Sequence, residues 1–203
     1  MPFYKKSTNK KPIPMTIYNP SKFEIAFTNF SHFVLRRYYK RFVKTLELQP
    51  NDKVIDFGSG TGFLSNLISK ELVGRESWLS CVEISEKWNN IARKKIRRYP
   101  NVDFYCGMLY ELDMKENYYD KIVIHWVLHD VGKKHRGKVV EAMAKRLKKS
   151  GRIILREPIK EDHGIPVSQI KELMKNVGMV EVESQLIDNH WVGTVLAGVF
   201  EKK

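Results

Sequence analysis

From Lys53 to Glu157 this sequence alternates five short apolar runs with amphipathic stretches long enough to be helices, and few folds accommodate that rhythm. The runs are KVIDF (53–57), WLSCVE (78–83), VDFYC (102–106), KIVIHW (121–126) and RIILRE (152–157). Helical spacing of apolar residues falls near 62–73, 86–98, 133–149 and 168–177. A strand that returns parallel to its neighbour needs a crossover of a dozen or more residues, which a helix supplies. The order therefore predicts an α/β, doubly wound, mostly parallel sheet with helices on both faces. Two later candidates, VEVESQLI (180–187) and TVLAGVFEK (194–202), are separated only by the polar link DNHWVG (188–193), which is too short for a helix. That last pair is expected to be antiparallel.

The chain has 203 residues, 42% of them hydrophobic, enough for one core of ordinary density. It reads as a single domain over 21–203, with a cap helix at 21–48 and a core at 50–201, preceded by a basic arm at 1–20. No run approaches the ~18 apolar residues of a membrane-spanning helix, and the opening MPFYKKSTNKKPIP lacks the apolar stretch of a secretory leader. The two cysteines, Cys81 and Cys106, have no metal-ligand spacing. They read as buried small hydrophobes of a soluble, cytoplasmic chain, peripheral at a membrane at most, with no metal site.

The net charge is +13, and residues 1–50 hold seven Lys and three Arg against two Glu. Nucleic acid, an anionic membrane surface or an acidic substrate would each suit such an excess. SKFE at Ser21–Glu24 has the form of a capping box that starts a helix. Phe23, Phe27, Phe30, Val34 and Tyr38 recur along that helix at spacings of three and four, with Arg36, Arg37, Lys40, Arg41 and Lys44 in its second half and Pro50 closing it. The plain expectation is that the aromatic stripe packs on the sheet domain and the basic side faces water. The sharper one is a helix that lies on a membrane or caps an apolar pocket.

DFGSGTG (56–62) follows the first strand and opens a helix, the setting in which glycine-rich loops bring backbone amides to a ligand. A P-loop would need Gly-Lys-Ser/Thr where Gly62 is followed by Phe63 and Leu64. A dinucleotide loop places its third glycine where Phe63 stands, and its pyrophosphate would meet the negative charge of Asp56. A ligand with an ammonium and a carboxylate on an adenosine suits both features, since Asp56 attracts the cation and the loop amides receive the anion. S-adenosylmethionine is such a ligand, and a purely structural glycine turn is the other reading of the motif by itself.

On VIDFGSGTG the chain resembles the class I, Rossmann-like S-adenosylmethionine-dependent methyltransferase family, over about residues 50–201. The resemblance implies a seven-stranded sheet whose last pair is antiparallel. It also implies cofactor contacts from Asp56, Gly58, Ser59, Gly60, Thr61 and Gly62. Glu83 falls at the end of the second strand, where the family's ribose-binding acid sits, with Ile84 beside it. After the third strand, similar proteins often carry Gly-Asp, whereas this chain has CGML, so Met108 and Leu109 are left to hold adenine by apolar contact and backbone groups.

The fourth strand runs into HWVLHD, which looks like the family segment that opens onto the transferring methyl group. It brings His125 and Trp126 to the strand's carboxyl end, followed by His129 and Asp130. His129 is the candidate base, with His125 behind it and His163 a weaker pocket residue. Methyl transfer can also proceed by alignment alone, without a base.

The family's fold leaves the acceptor open. A small-molecule or phospholipid acceptor leads, in the absence of an Asn-Pro-Pro-Tyr-type stretch. RNA is the alternative, through RKKIRR (93–98) and KKHRGK (133–138). A protein that binds S-adenosylmethionine without chemistry is the third reading.

Overall fold

The structure is a computed structural model that describes residues 20–160, 164–189 and 193–203. Residues 1–19, which hold nearly all of the expected basic arm, and His163 lie outside the described residues. The chain divides into two compact units, residues 1–113 and 114–203.

The first unit holds helices α1 (Lys22–Val34) and α2 (Arg36–Thr45), strand β1 (Lys53–Phe57), α3 (Phe63–Glu71), β2 (Trp78–Glu83), α4 (Glu86–Ile96) and β3 (Val102–Cys106). Its strands are parallel in the order β3-β2-β1, with Asp56 opposite Cys81 and Glu83 opposite Cys106. β1 and β2 are buried almost end to end, as strands covered on both faces must be.

The second unit holds β4 (Tyr119–His125), α5 (Lys133–Arg146), β5 (Leu147–Pro158), α6 (Val167–Asn176), β6 (Met179–Asn189) and β7 (Gly193–Lys202). The order here is β4-β5-β7-β6; β4 and β5 are parallel, and β7 is antiparallel to both β5 and β6. The two units together carry seven strands of a mixed α/β fold, with the antiparallel final pair that the short link required.

The N-terminal helix departs from expectation in two ways. The capping box forms, Ser21 Oγ accepting from the Glu24 amide at 3.1 Å and Glu24 Oε2 from the Ser21 amide at 2.7 Å. However, the helix breaks at Leu35, where φ −85° and ψ 9° leave the helical basin, so 21–48 is two helices, and the second ends at Thr45, before Pro50. The break lets α2 bury Tyr39, Phe42 and Val43 while α1 buries nothing.

The aromatic stripe does not pack on the sheet domain. Phe23, Phe27 and Phe30 are 78%, 63% and 64% exposed. Polar contacts hold α1 instead: Lys87 Nζ donates to the Pro20 carbonyl, and Lys95 Nζ to Asn29 Oδ1 at 3.4 Å. Cys106 also departs from expectation. Cys81 is buried, but Cys106 is exposed at the carboxyl end of β3, the outer strand of its unit, where its thiol donates to the Ile84 carbonyl at 3.6 Å.

Candidate active site

In the first unit the glycine loop turns between β1 and α3 with Gly58, Gly60 and Gly62 all at positive φ (75°, 51° and 71°), a region that side chains with a Cβ avoid. The Gly58 and Ser59 amides both donate to the Val82 carbonyl, at 2.8 and 3.1 Å, which hangs the loop on β2. Gly62 is needed for packing, because a Cβ there would lie 2.9 Å from both Cα and Cβ of Ala92 on α4. Gly60 differs. A Cβ built on it meets only the Gly58 carbonyl oxygen, at 3.9 Å, so its outer side is open space.

Glu83 ties this loop to the next one. Its Oε2 accepts from the Gly60 amide and its Oε1 from the Ser85 amide, both at 2.9 Å, and Ser85 caps α4. A carboxylate offers about four acceptor positions, of which these amides take one each. The Gly60 amide is thus engaged by Glu83 in this structure.

Asp56 lies beneath the loop and is 2% exposed, with Oδ2 accepting from Ser65 Oγ at 2.5 Å. Burial raises its carboxyl to about 6, against the pull of the Ser65 hydroxyl and with the negative charge of Glu83 adding to the rise. Thr61 Oγ1 is 3.2 Å from His32 Nδ1, and the His32 ring stacks on Phe63 at 4.7 Å with 7° between planes. Burial, helped by the charge of Lys95, lowers His32 to about 4, so it sits there as neutral imidazole. Met108 is half-buried and Leu109 buried after β3, and the Gly107 amide donates to the Glu83 carbonyl at 3.0 Å.

The second unit brings another group of the expected residues together. β4 ends at His125, and Trp126 follows with φ 58°, a backbone state that a bulky residue adopts only when its surroundings enforce it. The His125 and Trp126 rings lie 4.5 Å apart. The enforcing group is Glu157 at the end of β5, which is fully buried. Its Oε1 accepts from the Val127 and Leu128 amides at 2.7 and 2.8 Å, and its Oε2 from the His129 amide at 3.2 Å and from His129 Nδ1 at 2.7 Å.

Asp130 Oδ1 lies 3.5 Å from His129 Nε2. Arg136 on α5 closes the turn from the other side, donating to the His129 and Val131 carbonyls, each at 2.9 Å. Desolvation is the largest single influence on His129 and pulls its pKa down. The hydrogen bond and charge of Glu157, with the charge of Asp130, outweigh it against Arg136, and the net shift is upward.

Sequence reasoning missed His32, Ser65, Glu157 and Arg136. His32 carried a signal, since it stands nine residues after Phe23, about two and a half helical turns, and so opposite the aromatic stripe. Glu157 carried one too, as an acid ending an apolar strand in the way Glu83 does. Ser65 and Arg136 carried none. Among the described residues, no three His, Cys, Asp or Glu side chains gather as a metal site.

This fold, with its glycine loop and strand-end acid, is of the Rossmann-like methyltransferase class. A methyltransferase-domain family model matches residues 54–151. The chain is 30% identical over 127 residues to the ubiquinone/menaquinone biosynthesis C-methyltransferase UbiE of Vibrio cholerae, an alignment that covers 61% of this chain and 48% of the relative. It thus spans about half the length of the curated relatives it matches.

Two solved structures share the fold. An S-adenosylmethionine-dependent methyltransferase from Aquifex aeolicus has a TM-score of 0.65 at 18% identity, over 81% of this chain and 89% of that one. The N-methyltransferase NodS from Bradyrhizobium japonicum, in complex with S-adenosyl-L-homocysteine, has a TM-score of 0.68 at 13% identity, over 82% and 86%. Residues 54–151 thus match a methyltransferase domain, and the fold is the one that S-adenosylmethionine-dependent methyltransferases share.

Proposed function

We propose that this chain binds S-adenosylmethionine at its glycine loop and transfers the methyl group to a small, apolar, lipid-like aromatic acceptor. The observation that carries the binding half is Gly60. It holds a left-handed backbone with open space beyond it, and a strand-end carboxylate fixes its amide. Ser59 Oγ beside it is buried with no partner among the described residues, a polar atom suited to a ligand's hydrogen bond. The residues present therefore fit the cofactor.

Gly58, Ser59, Gly60, Thr61 and Gly62 would hold it, Glu83 and Ile84 would take the ribose, and Met108 and Leu109 the adenine. Bound there, the cofactor supplies an electrophilic methyl group on a sulfonium. Asp56 contributes through its buried negative charge, which favours a cation over the loop. In the second unit, His125 and Trp126 at the carboxyl end of β4 are further candidates for cofactor contact, and His129 is the candidate base.

Two considerations favour the acceptor class. The curated relatives are named for ubiquinone and menaquinone biosynthesis, where the group methylated is carbon. In addition, α1 turns Phe23, Phe27 and Phe30 outward while Lys22, Arg36, Arg37, Lys40, Arg41 and Lys44 are exposed along α1 and α2, a combination complementary to an anionic bilayer and so to a lipid-like acceptor.

Part of the basic stretches that suggested RNA is engaged within the chain, while Lys94, Arg97, Lys133, Lys134 and Lys138 stay exposed. Arg93 lies over the Phe104 ring, Lys95 bonds Asn29, Arg98 bonds Asn66, and Arg136 is buried in the turn after β4. The test is a cell lysate given methyl-labelled S-adenosylmethionine and the purified protein. Label in the organic extract is the expected result. Label lost on nuclease treatment would move the acceptor to RNA, and calorimetric binding with no label transferred would leave a non-catalytic binder.

A further inference from the structure

Glu157 plays no part in the readings above, yet it is the most heavily bonded carboxylate at either strand end described. It accepts three consecutive backbone amides and an imidazole nitrogen, all within one turn. Three amides would suffice to hold the Val127–His129 backbone. The fourth bond, at 2.7 Å, is to a side chain, and it selects between the two neutral forms of His129. Because a carboxylate only accepts, Nδ1 must carry the proton, which leaves Nε2 as the lone-pair nitrogen. The ring is one-fifth exposed, so this basic atom belongs to a side chain that solvent or a substrate can reach.

We infer that Glu157 is the positioning residue of a carboxylate–imidazole pair that presents His129 Nε2 as a general base to the acceptor's hydroxyl. This deepens the methyltransferase reading and rests on it for its substrate. The acceptor's O–H bond breaks, its proton goes to Nε2, and its electron pair stays on the acceptor, spread from oxygen into the aromatic ring. A ring carbon of the acceptor then forms the new bond to the methyl carbon as the carbon–sulfur bond breaks, with that pair remaining on sulfur. The same ring carbon loses its own proton to solvent, which restores the aromatic ring as a phenolate that reclaims the proton from Nε2. The imidazolium so formed lies between two acids, Glu157 at Nδ1 and Asp130 at 3.5 Å from Nε2. Among the described residues Arg136 opposes it, and it is held on the turn's carbonyls by its own bonds.

The test is histidine-selective 15N NMR of the full chain between pH 5 and 9. In the wild type the His129 ring should show the form protonated at Nδ1 and titrate above 6.5. In Glu157→Gln its midpoint should fall by about one pH unit or more, as expected when an adjacent carboxylate is lost. Asp130→Asn, at a side chain that is 78% exposed, should move it less. A wild-type ring protonated at Nε2, or one midpoint in wild type and Glu157→Gln, overturns the inference; the first of these needs no variant to fold.

The acid limb of kcat for a prenylated benzohydroquinone should move with the NMR midpoint, and the rate should fall about 10–100-fold, within the range of a lost base. An NMR shift with no change in the limb also overturns the inference. Absence of transfer by the wild type counts instead against the function proposed above, while the NMR titration still decides what Glu157 does to His129.

Discussion

Asp56→Asn is expected to stabilise the ligand-free protein, and to do so more strongly as pH rises. Burial lifts the carboxyl from 3.8 to about 6, so the folded chain holds this proton more tightly than the unfolded chain does. An acid raised in this way favours folding where it is protonated. Its handicap is absent well below pH 3.8, grows as pH rises toward about 6, and is constant above that. These two values give a penalty of about 1.6 kcal/mol at pH 5 and about 3 kcal/mol at pH 8.

Asparagine has the same shape, cannot ionise, and keeps an oxygen for the Ser65 hydroxyl now 2.5 Å from Oδ2. The variant should therefore gain about 1.4 kcal/mol on its parent between pH 5 and pH 8, read from urea midpoints at matched slopes. The same change should weaken S-adenosylmethionine binding by about 1–3 kcal/mol, because the charge that handicaps the free protein is the one a cationic ligand would neutralise. Calorimetry near pH 6 in buffers of different ionisation enthalpy should show proton release on binding by the parent and none by the variant. A variant less stable than its parent at pH 8, or a stability gap that does not widen with pH, would refute this reasoning.

Glu83→Gln should weaken cofactor binding by about 1–3 kcal/mol and also lower the melting temperature, since the amide nitrogen must now face either Gly60 N–H or Ser85 N–H; unchanged affinity by calorimetry removes Glu83 from the site. His32 is lowered from 6.5 to about 4, so the stability it lends is whole above pH 6.5 and lost as pH falls through about 4, a loss of about 2 kcal/mol at pH 5. Protection factors of the α1 amides, corrected for the intrinsic exchange rate at each pH, should fall over that interval in the wild type, and His32→Leu should abolish that fall. Phe23→Ser, Phe27→Ser and Phe30→Ser combined should reduce sedimentation with phosphatidylglycerol vesicles at least about 100-fold, since each buried phenylalanine is worth about 1.5–3 kcal/mol. Equal sedimentation by the triple variant would exclude α1 as the contact.

The strand–helix alternation was legible because each strand in this fold is buried on both faces, so apolar runs such as KVIDF and WLSCVE stand out with no polar interruption. The glycine loop was legible for a related reason, since its backbone states exclude side chains and leave a mark in residue type. The break at Leu35 left no such mark. Helical spacing continues unbroken through FVLRRYY, and only the competition between burying Tyr39, Phe42 and Val43 and tying α1 down by Lys87, Lys95 and His32 turns the chain there. The same competition defeated the expectation for the aromatic stripe. Periodicity identifies an apolar face but not which partner covers it, and His32, Lys87 and Lys95 decide α1's orientation from residues far apart in sequence or on the helix's opposite side.

Glu83 and Glu157 show why a strand-end acid is ambiguous in sequence. Each lies at the carboxyl end of a buried strand and accepts amides from a neighbouring loop with left-handed backbone, from Gly60 at φ 51° in one unit and from the residues after Trp126, at φ 58°, in the other. Such a carboxylate is architectural before any ligand arrives, because removing it orphans buried amides at roughly 1–3 kcal/mol each. Alanine at either position therefore merges loss of the loop with loss of ligand contact or base orientation, and a lost activity in that variant assigns nothing. The amide isostere separates them, since it keeps the volume and one acceptor while removing the charge. For Glu83 the charge reaches ligand, loop and the buried Asp56 carboxyl, whereas for Glu157 it reaches an imidazole, whose tautomer and midpoint report on the charge directly.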